Sequence, residues 1–314
     1  MSPRPLIIDC DPGVDDAIAL LLAFACPEAL ELLAVTTVGG NVDHLQTARN
    51  ACIVRQLAGR EDVPVYAGAE APLAREPVEA SHFHGATGLG DLDTFHPDAG
   101  PAAGRSAEAI VELVMARPPG AVTVAATGPL TNLALALRLE PDLAARLGPV
   151  VIMGGARSEG GNITASSEYN IHADPHAAEE VLAAGLGEVT LIGLDATHQV
   201  RATPERVKAL AALPTASART AAALLDFAYR TQLDLVGWDS PPLHDPCTIA
   251  YLLGPELFET VPANIRVEAT SRLTLGHTAV EFRIDGAHPA NARWAVRADG
   301  GGVFALLGDR LARR

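Results

Sequence analysis

Lysine, cysteine and aromatic residues are scarce in this 314-residue chain, and each scarcity excludes a class of protein. Lys208 is the only lysine, and 23 basic against 38 acidic side chains leave a formal net charge of −15. Nucleic acids and anionic membranes bind clustered cations, so neither is an expected partner. The four cysteines form no CxxC pair, which in a chain of this length indicates reduced thiols rather than a disulfide framework.

Long apolar runs are also missing. The longest, residues 17–26, is about half the length of a membrane-spanning helix. No secretory signal precedes the first apolar run, so the sequence predicts a cytoplasmic protein. Apolar residues nevertheless make up 48% of the chain and charged residues only 19%, which excludes disorder as the dominant state.

Short β-type apolar runs alternate with longer Ala- and Leu-rich stretches, a pattern typical of βαβ units on a parallel sheet. The predicted strands are 6–9, 32–38, 122–127, 150–153 and 190–194, followed near the C-terminus by 265–269, 279–284 and 294–296. The predicted helices are 15–24, 44–57, 130–139 and 175–184. Residues 70–104 are rich in Pro, Gly and His and are predicted as a long loop. The expected fold is α/β, one domain over residues 1–314 with an open, mostly parallel, Rossmann-like sheet covered by helices on both faces.

Each of the first four strands ends in a polar or glycine-rich turn. These turns read DCDPGVDDA (9–17), VGGN (38–41), ATGPLTN (126–132) and MGGA (153–156). In open α/β sheets, ligands bind at the carboxyl ends of the strands. The four turns are therefore expected to face one another across a binding site, and Met153 is expected to face it from a strand end.

Four aspartates, Asp9, Asp11, Asp15 and Asp16, fall within eight residues where the first strand gives way to a helix. A helix N-terminus stabilises each nearby carboxylate by roughly 0.3–1 kcal/mol. Two like charges about 4 Å apart repel by about 4 kcal/mol at an effective dielectric constant near 20. A bound cation is therefore expected, and oxygen ligands favour Ca²⁺ or Mg²⁺ over zinc. The alternative is that Asp11 caps the helix while the other aspartates are solvated.

Six sequence blocks carry a resemblance to a known family. DCDPGVDDA, VGGN and ATGPLTN are joined by HGATGLG (84–90), GGNITASSEYN (160–170) and HDPCTIAY (244–251), all in the same order as in that family. By these six blocks taken together, the chain resembles the calcium-dependent, inosine–uridine-preferring nucleoside hydrolases from residue 7 to residue 251. The resemblance implies an enzyme that hydrolyses the N-glycosidic bond of ribonucleosides, giving free base and ribose.

The resemblance also implies a site. Ca²⁺ would be held by Asp11, both oxygens of Asp16, the backbone carbonyl of Thr127, and Asp245, with Asp11 also the general base for the attacking water. Asp9 is expected to be structural. The remaining residues that the resemblance places at the substrate are Asp15, Asn41 and Asn170 at the ribose diol, Asn162 and Glu168 at the 5′-hydroxyl, and His84.

The chemistry accounts for this choice of residue types. Cleavage of an N-glycosidic bond builds an oxocarbenium-like ribosyl cation, which a ring of carboxylates stabilises where the positive charge develops. A metal ion that holds the ribose diol orients it against the bound water and lowers the pKa of that water. An acidic pocket of this kind fits a neutral nucleoside and fits a phosphorylated nucleotide badly.

His244 is the expected leaving-group acid, because it precedes the predicted ligand Asp245 and an imidazole with an ordinary pKa can donate a proton near neutrality. Gln232, in the segment before His244, is a candidate contact to the base. The choice between purine and pyrimidine stays open.

Two other functions fit parts of the sequence. A haloacid-dehalogenase-like Mg²⁺ phosphatase also has DxD after a strand, but it continues with Gly-Thr and needs a downstream lysine motif, which Lys208 does not provide. A non-catalytic ribose- or nucleoside-binding protein on the same fold would be expected to lack Asp11, Asp16 or Asp245. The family resemblance further suggests a homodimer or homotetramer.

Overall fold

The computed structural model describes residues 2–313, and a nine-stranded sheet forms its centre. The strand order is β3-β2-β1-β4-β5-β6-β9-β7-β8. The strands are β1 (Arg4–Cys10), β2 (Leu30–Thr37), β3 (Val65–Tyr66), β4 (Thr123–Ala126), β5 (Val150–Met153), β6 (Val189–Ile192), β7 (Phe258–Val267), β8 (Thr278–Glu281) and β9 (Ala292–Ala298). Pairing is parallel from β3 to β9, while β7 is antiparallel to both β8 and β9. The predicted mostly parallel α/β sheet is therefore confirmed.

Helices connect the strands and cover the sheet. They are α1 (Val14–Phe24), α2 (His44–Leu57), α3 (Ser81–His84), α4 (Ser106–Met115), α5 (Thr131–Leu139), α6 (Leu143–Arg146), α7 (Tyr169–Ala173), α8 (Pro175–Ala183), α9 (Leu194–Thr197), α10 (Pro204–Ala211), α11 (Ala216–Val236), α12 (Pro246–Leu253) and α13 (Gly300–Leu311), with a 3₁₀ turn at Pro255–Leu257. No helix within residues 2–313 is long and apolar enough to cross a membrane.

Alternation along β1 explains why the sheet is covered on both faces. Leu6 and Ile8 point into one large hydrophobic cluster, which includes α1, α11 and α12, whereas Ile7 points into a second cluster built with α4, α5 and α8. Successive strand residues point to opposite faces, so a strand that is apolar at every position must be buried on both. β1 lies between β2 and β4 and is the strand that ends at the aspartate cluster.

Several predicted boundaries differ from the structure. The predicted strand 190–194 ends at Ile192, because Gly193 and Leu194 already begin the short helix α9. The three C-terminal strands run over different ranges from those predicted, with β7 the longest of them at 10 residues. The predicted loop 70–104 is irregular apart from α3. The sequence patterns had not predicted the 21-residue helix α11.

Candidate active site

The polar turns at the carboxyl ends of the parallel strands surround a cavity of about 330 Å³. All twelve residues predicted for the site lie at this edge of the sheet. Asp11 and Asp16 are fully buried behind the cavity wall. The others line the cavity: Asp15, Asn41, His84, Thr127, Met153, Asn162, Glu168, Asn170, His244 and Asp245.

Asp11 follows β1 directly and is held by the turn that follows β2. Its Oδ2 accepts a hydrogen bond from the Asn41 backbone N–H at 2.8 Å, and the Asn41 side-chain amide donates to the Asp11 carbonyl at 3.1 Å. Its Oδ1 is buried and receives no hydrogen bond from any residue of the range 2–313. Burying a carboxylate oxygen without a hydrogen-bond donor costs free energy, so this atom is a candidate for binding a ligand outside the polypeptide.

Asp16 occupies the first turn of α1 and joins three segments. Its Oδ2 accepts from the Gly13 N–H at 3.0 Å and from the Asn41 amide at 3.1 Å, while its Oδ1 accepts from the Thr127 hydroxyl at 2.8 Å. One oxygen each of Asp15, Asp16 and Asp245 lie within 4.8 Å of one another. This close group of carboxylates therefore includes Asp15, which we had expected at the ribose, and does not include Asp11.

Burial and mutual repulsion raise the pKa values of Asp11, Asp16 and Asp245. The pKa of Asp16 rises to about 7, first through burial and then through repulsion from Asp15. The pKa values of Asp11 and Asp245 are raised well above the ordinary value, again mainly by burial. Asp9 lies beneath them, accepts from Thr36 and Asn132, and has its pKa raised to about 6 by burial.

The donor set fits a hard divalent cation. The buried orphan oxygen of Asp11 and the close oxygens of Asp16 and Asp245 are all carboxylate oxygens. The Thr127 carbonyl accepts from the Asn170 amide at 2.6 Å and keeps a second lone pair. Oxygen-only ligation is typical of Ca²⁺ and Mg²⁺.

Two glycines bring backbone close to Asp11. A Cβ atom added at Gly40 would lie 2.1 Å from Asp11 Oδ2, and one added at Gly128 would lie 2.7 Å from Asp11 Oδ1. Neither contact is possible for real atoms, so any side chain at these positions displaces the carboxylate. Both glycines belong to motifs identified in the sequence, VGGN and ATGPLTN.

We expect Gly40→Ala to lower kcat/KM by about 100-fold, because a shift of about 1 Å in a catalytic group has an effect of that size. The measurement is steady-state nucleoside hydrolysis. Gly308→Ala is the matched control, since nothing lies within 4 Å of a Cβ at that position in α13. Wild-type activity in Gly40→Ala would show that Asp11 does not need its present position.

The residues expected at the ribose and its 5′-hydroxyl form a hydrogen-bonded wall. Asn170 donates to the carbonyls of Thr127 and Met153, at 2.6 and 3.2 Å. Glu168 is buried and caps α7, accepting from the backbone N–H groups of Asn170, Ile171 and Gly155. Asn162 accepts from the Tyr169 N–H at 2.9 Å. Their positions are thus fixed by the backbone before any substrate binds.

Two of the four histidines that line the cavity, His84 and His244, had been predicted for the site. His84 Nδ1 accepts from the Val14 N–H at the start of α1, at 3.0 Å, and burial lowers its pKa. His244 Nδ1 shares a 2.8 Å hydrogen bond with the Thr197 hydroxyl. Burial lowers the pKa of His244 to about 4, so our expectation of an ordinary pKa for this residue was wrong. The cause is desolvation, which a one-dimensional motif does not report.

The structure adds lining residues that the sequence had not indicated. Tyr169, Glu159 and His198 all line the cavity, and the His198 ring meets the ring of Trp238. His198 follows the end of β6, so the rule that ligands bind at strand ends could have singled it out. Glu159 lies in an irregular segment and had no sequence signal.

Comparisons with known proteins agree on one family. The family model described as inosine-uridine preferring nucleoside hydrolase matches residues 6–305. The chain is 43% identical over 311 residues to a pyrimidine-specific ribonucleoside hydrolase of Shewanella sp., covering 98% of this chain and 96% of that protein. It is 38% identical over 312 residues to the inosine-uridine preferring nucleoside hydrolase of Crithidia fasciculata, covering 99% and 98% of the two chains.

A solved structure agrees as well. A plant nucleoside hydrolase superimposes with a TM-score of 0.93 at 32% identity, covering 99% of this chain and 100% of that one.

Proposed function

The chain belongs to the inosine-uridine preferring nucleoside hydrolases, which cleave the N-glycosidic bond of ribonucleosides, and we propose that its buried carboxylate cluster binds Ca²⁺ to do so. The observation that carries the proposal is the oxygen cluster beneath the cavity: three close carboxylates together with the unpartnered Oδ1 of Asp11. The residues that would hold the ion are Asp11, Asp16, Asp245 and the Thr127 carbonyl. When bound, the ion supplies a water of lowered pKa and an anchor for the ribose diol.

Asp11 is the general base in this proposal. Its Oδ2 is fixed by the Asn41 N–H, whereas Oδ1 receives no hydrogen bond within residues 2–313, so its two lone pairs are available to the ion and to the proton of the attacking water. A carboxyl group whose pKa is raised by burial is a stronger base than an exposed one, which suits it to proton abstraction. As water attacks C1′, the C1′–N bond breaks and its electron pair leaves with the base.

The ribose ring is held by groups that accept hydrogen bonds. Asp15 lines the cavity at the carboxylate cluster and would accept from a ribose hydroxyl, with Asn41 and Asn170 beside it. Glu168 and Asn162 lie together near Tyr169 and would bind the 5′-hydroxyl. His84 and Met153 complete the surroundings of the sugar. Negative charge around the ring stabilises the oxocarbenium-like transition state more than the neutral ground state.

The proposal is tested by following free ribose from inosine, adenosine, uridine and cytidine, with uridine 5′-monophosphate and p-nitrophenyl phosphate in parallel. We expect ribose release from at least one nucleoside and no phosphate release. Phosphate release without ribose would favour the phosphatase alternative. A nucleoside that binds tightly and is never hydrolysed would favour a binding protein.

His244 was the leaving-group acid expected from the sequence, and it stays a candidate because it lines the cavity beside Asp245, although burial of its ring opposes protonation near neutrality. If His244 is that acid, His244→Ala should lower kcat by about 100-fold for a nucleoside, whose base must be protonated to leave. It should scarcely affect p-nitrophenyl riboside, whose leaving group departs without a proton. The measurement is the ratio of the two losses in kcat, and a ratio near one would mean that His244 only packs against the metal-binding loop.

We also propose that residues 1–314 form one domain, since a continuous sheet joins strands from both ends of the chain: β9 pairs with β6 and β1 with β4. A homodimer or homotetramer is the proposed assembly. Sedimentation velocity on the purified chain distinguishes these two states from a monomer.

A further inference from the structure

The cavity wall contains a histidine paired with a carboxylate that the proposed mechanism does not use. His198 Nδ1 lies 3.0 Å from Glu159 Oε2, and both residues line the cavity. A carboxylate accepts and does not donate, so Nδ1 carries the hydrogen of this bond. Nε2 has no hydrogen-bond partner within residues 2–313, and it is not among their buried unsatisfied atoms. This nitrogen is therefore the one that can exchange a proton with a ligand.

The pair is built into the fold from both sides. Asp195, in α9, accepts from the backbone N–H groups of Arg157 and Ser158, each at 2.8 Å, and so fixes the segment that carries Glu159. The His198 ring meets the ring of Trp238 edge-on, with centroids 5.3 Å apart. The Arg201 guanidinium lies over the Trp238 ring, 4.4 Å from the ring centroid.

His198 also lies next to His244. Their ring centroids are 5.9 Å apart, and the two residues enter the cavity from α9 and from the segment before α12. The partners of the two rings differ: His244 bonds a hydroxyl, whereas His198 bonds a carboxylate. The side chains of His198 and Glu159 are 14% and 46% exposed, so a proton lost from the pair can be replaced from solvent.

We propose that His198, oriented by Glu159, is the catalytic residue that donates a proton from Nε2 to the departing base, in the role that the sequence had given to His244. The inference rests on the proposed nucleoside hydrolysis and deepens it. When the C1′–N bond breaks, its electron pair goes to the base, which takes the Nε2 proton. The proton of the attacking water goes to Asp11, and the neutral imidazole keeps its Nδ1 hydrogen bond to Glu159 until solvent reprotonates Nε2.

The test uses His198→Asn, because the asparagine amide can replace Nδ1 as donor to Glu159 while Nε2 is lost. We expect kcat for the preferred nucleoside to fall by about 100-fold and kcat for p-nitrophenyl riboside to stay about unchanged. Glu159→Gln keeps an acceptor but removes the charge, and we expect the same substrate selectivity with a loss of about 10-fold. His288→Gln removes a histidine from an exposed His–Asp pair with Asp285 and should change neither rate.

The outcomes separate two failures. If the wild type releases no ribose from any nucleoside, the proposed function fails. If the wild type is active but His198→Asn lowers kcat equally for both substrates, or for neither, the role of His198 is overturned. If His198→Asn does not fold, Glu159→Gln decides alone, since Glu159 lies in an irregular segment. An equal loss of kcat for both substrates in Glu159→Gln, or no loss for either, would then overturn the inference.

Discussion

Asp11→Asn is expected to lower kcat by at least about 1,000-fold, because the change removes both a general base and a cation ligand. The amide has the shape of the carboxylate and can keep the contact of Oδ2 with the Asn41 N–H through its oxygen. The fold should survive. Since burial raises the pKa of Asp11, the charged form is disfavoured in the folded protein, and a neutral side chain relieves that penalty. The measurements are kcat for ribose release and the thermal midpoint without added metal.

Asp43→Asn is the matched control for this change. Asp43 is an aspartate that caps α2 away from the cavity, and its amide can still accept from Leu45 and Gln46. It should leave kcat unaltered. A loss of less than about tenfold in Asp11→Asn, equivalent to ~1.4 kcal/mol, with an unchanged thermal midpoint would remove Asp11 from the mechanism.

Removal of metal with EGTA is expected to lower activity by at least about 100-fold, and added Ca²⁺ should restore it. The ion should also stabilise the fold, by about 2.7 kcal/mol when its concentration is 100 times the dissociation constant. The measurements are activity and thermal midpoint after chelation and after return of Ca²⁺, Mg²⁺ or Zn²⁺. Full activity in the stripped protein would contradict metal dependence, and restoration by Zn²⁺ alone would contradict the hard-cation assignment.

The raised pKa values of the buried aspartates make the stabilisation by the ion depend on pH. Asp9 and Asp16 have folded-state pKa values of about 6 and 7, above the usual value of about 3.9 in an unfolded chain. The metal-free folded protein thus holds more protons than the unfolded chain between about pH 4 and pH 7, and its unfolding free energy falls as the pH rises through that window. Cation binding needs the ionised carboxylates and releases those protons. The gain in thermal midpoint from Ca²⁺ should therefore be larger at pH 8 than at pH 5.

The sheet was predictable because its signals are local and repeated. β5 is a short, fully apolar run, and β1 contains one at residues 6–8. Both strands end in glycine-rich or acidic turns, and their alternation with helices indicated parallel pairing before any contact was known. Helix α11 was not predicted, because much of its surface is half-exposed and it lacks a clean apolar stripe at the end nearest the cavity. Its position depends on packing against α10, which directly precedes it, and against α1, which lies near the other end of the chain.

Within the site, residue identity was easier to predict than residue environment. The motifs brought the twelve predicted residues to one edge of the sheet, since strand-end turns meet there whatever the loop lengths between them. They could not report desolvation, which lowers the pKa of His244 to about 4, because burial is created by segments distant in sequence. They also missed the Glu159–His198 pair, which forms only when the segment after β5 meets the end of α9.

The placement of β1 divides the residues around the cavity into a rigidly held group and an adjustable group. Asp11, Asp15 and Asp16 follow a strand hydrogen-bonded on both sides at the middle of the sheet, where a change of backbone position would disturb both hydrophobic cores. Gln232, Val236 and Trp238 instead reach the cavity from the end of α11, where Leu235 and Val236 are half exposed. We therefore expect substitutions in that segment to alter which base is accepted at little cost to stability, whereas substitutions that move the aspartates should destabilise the fold.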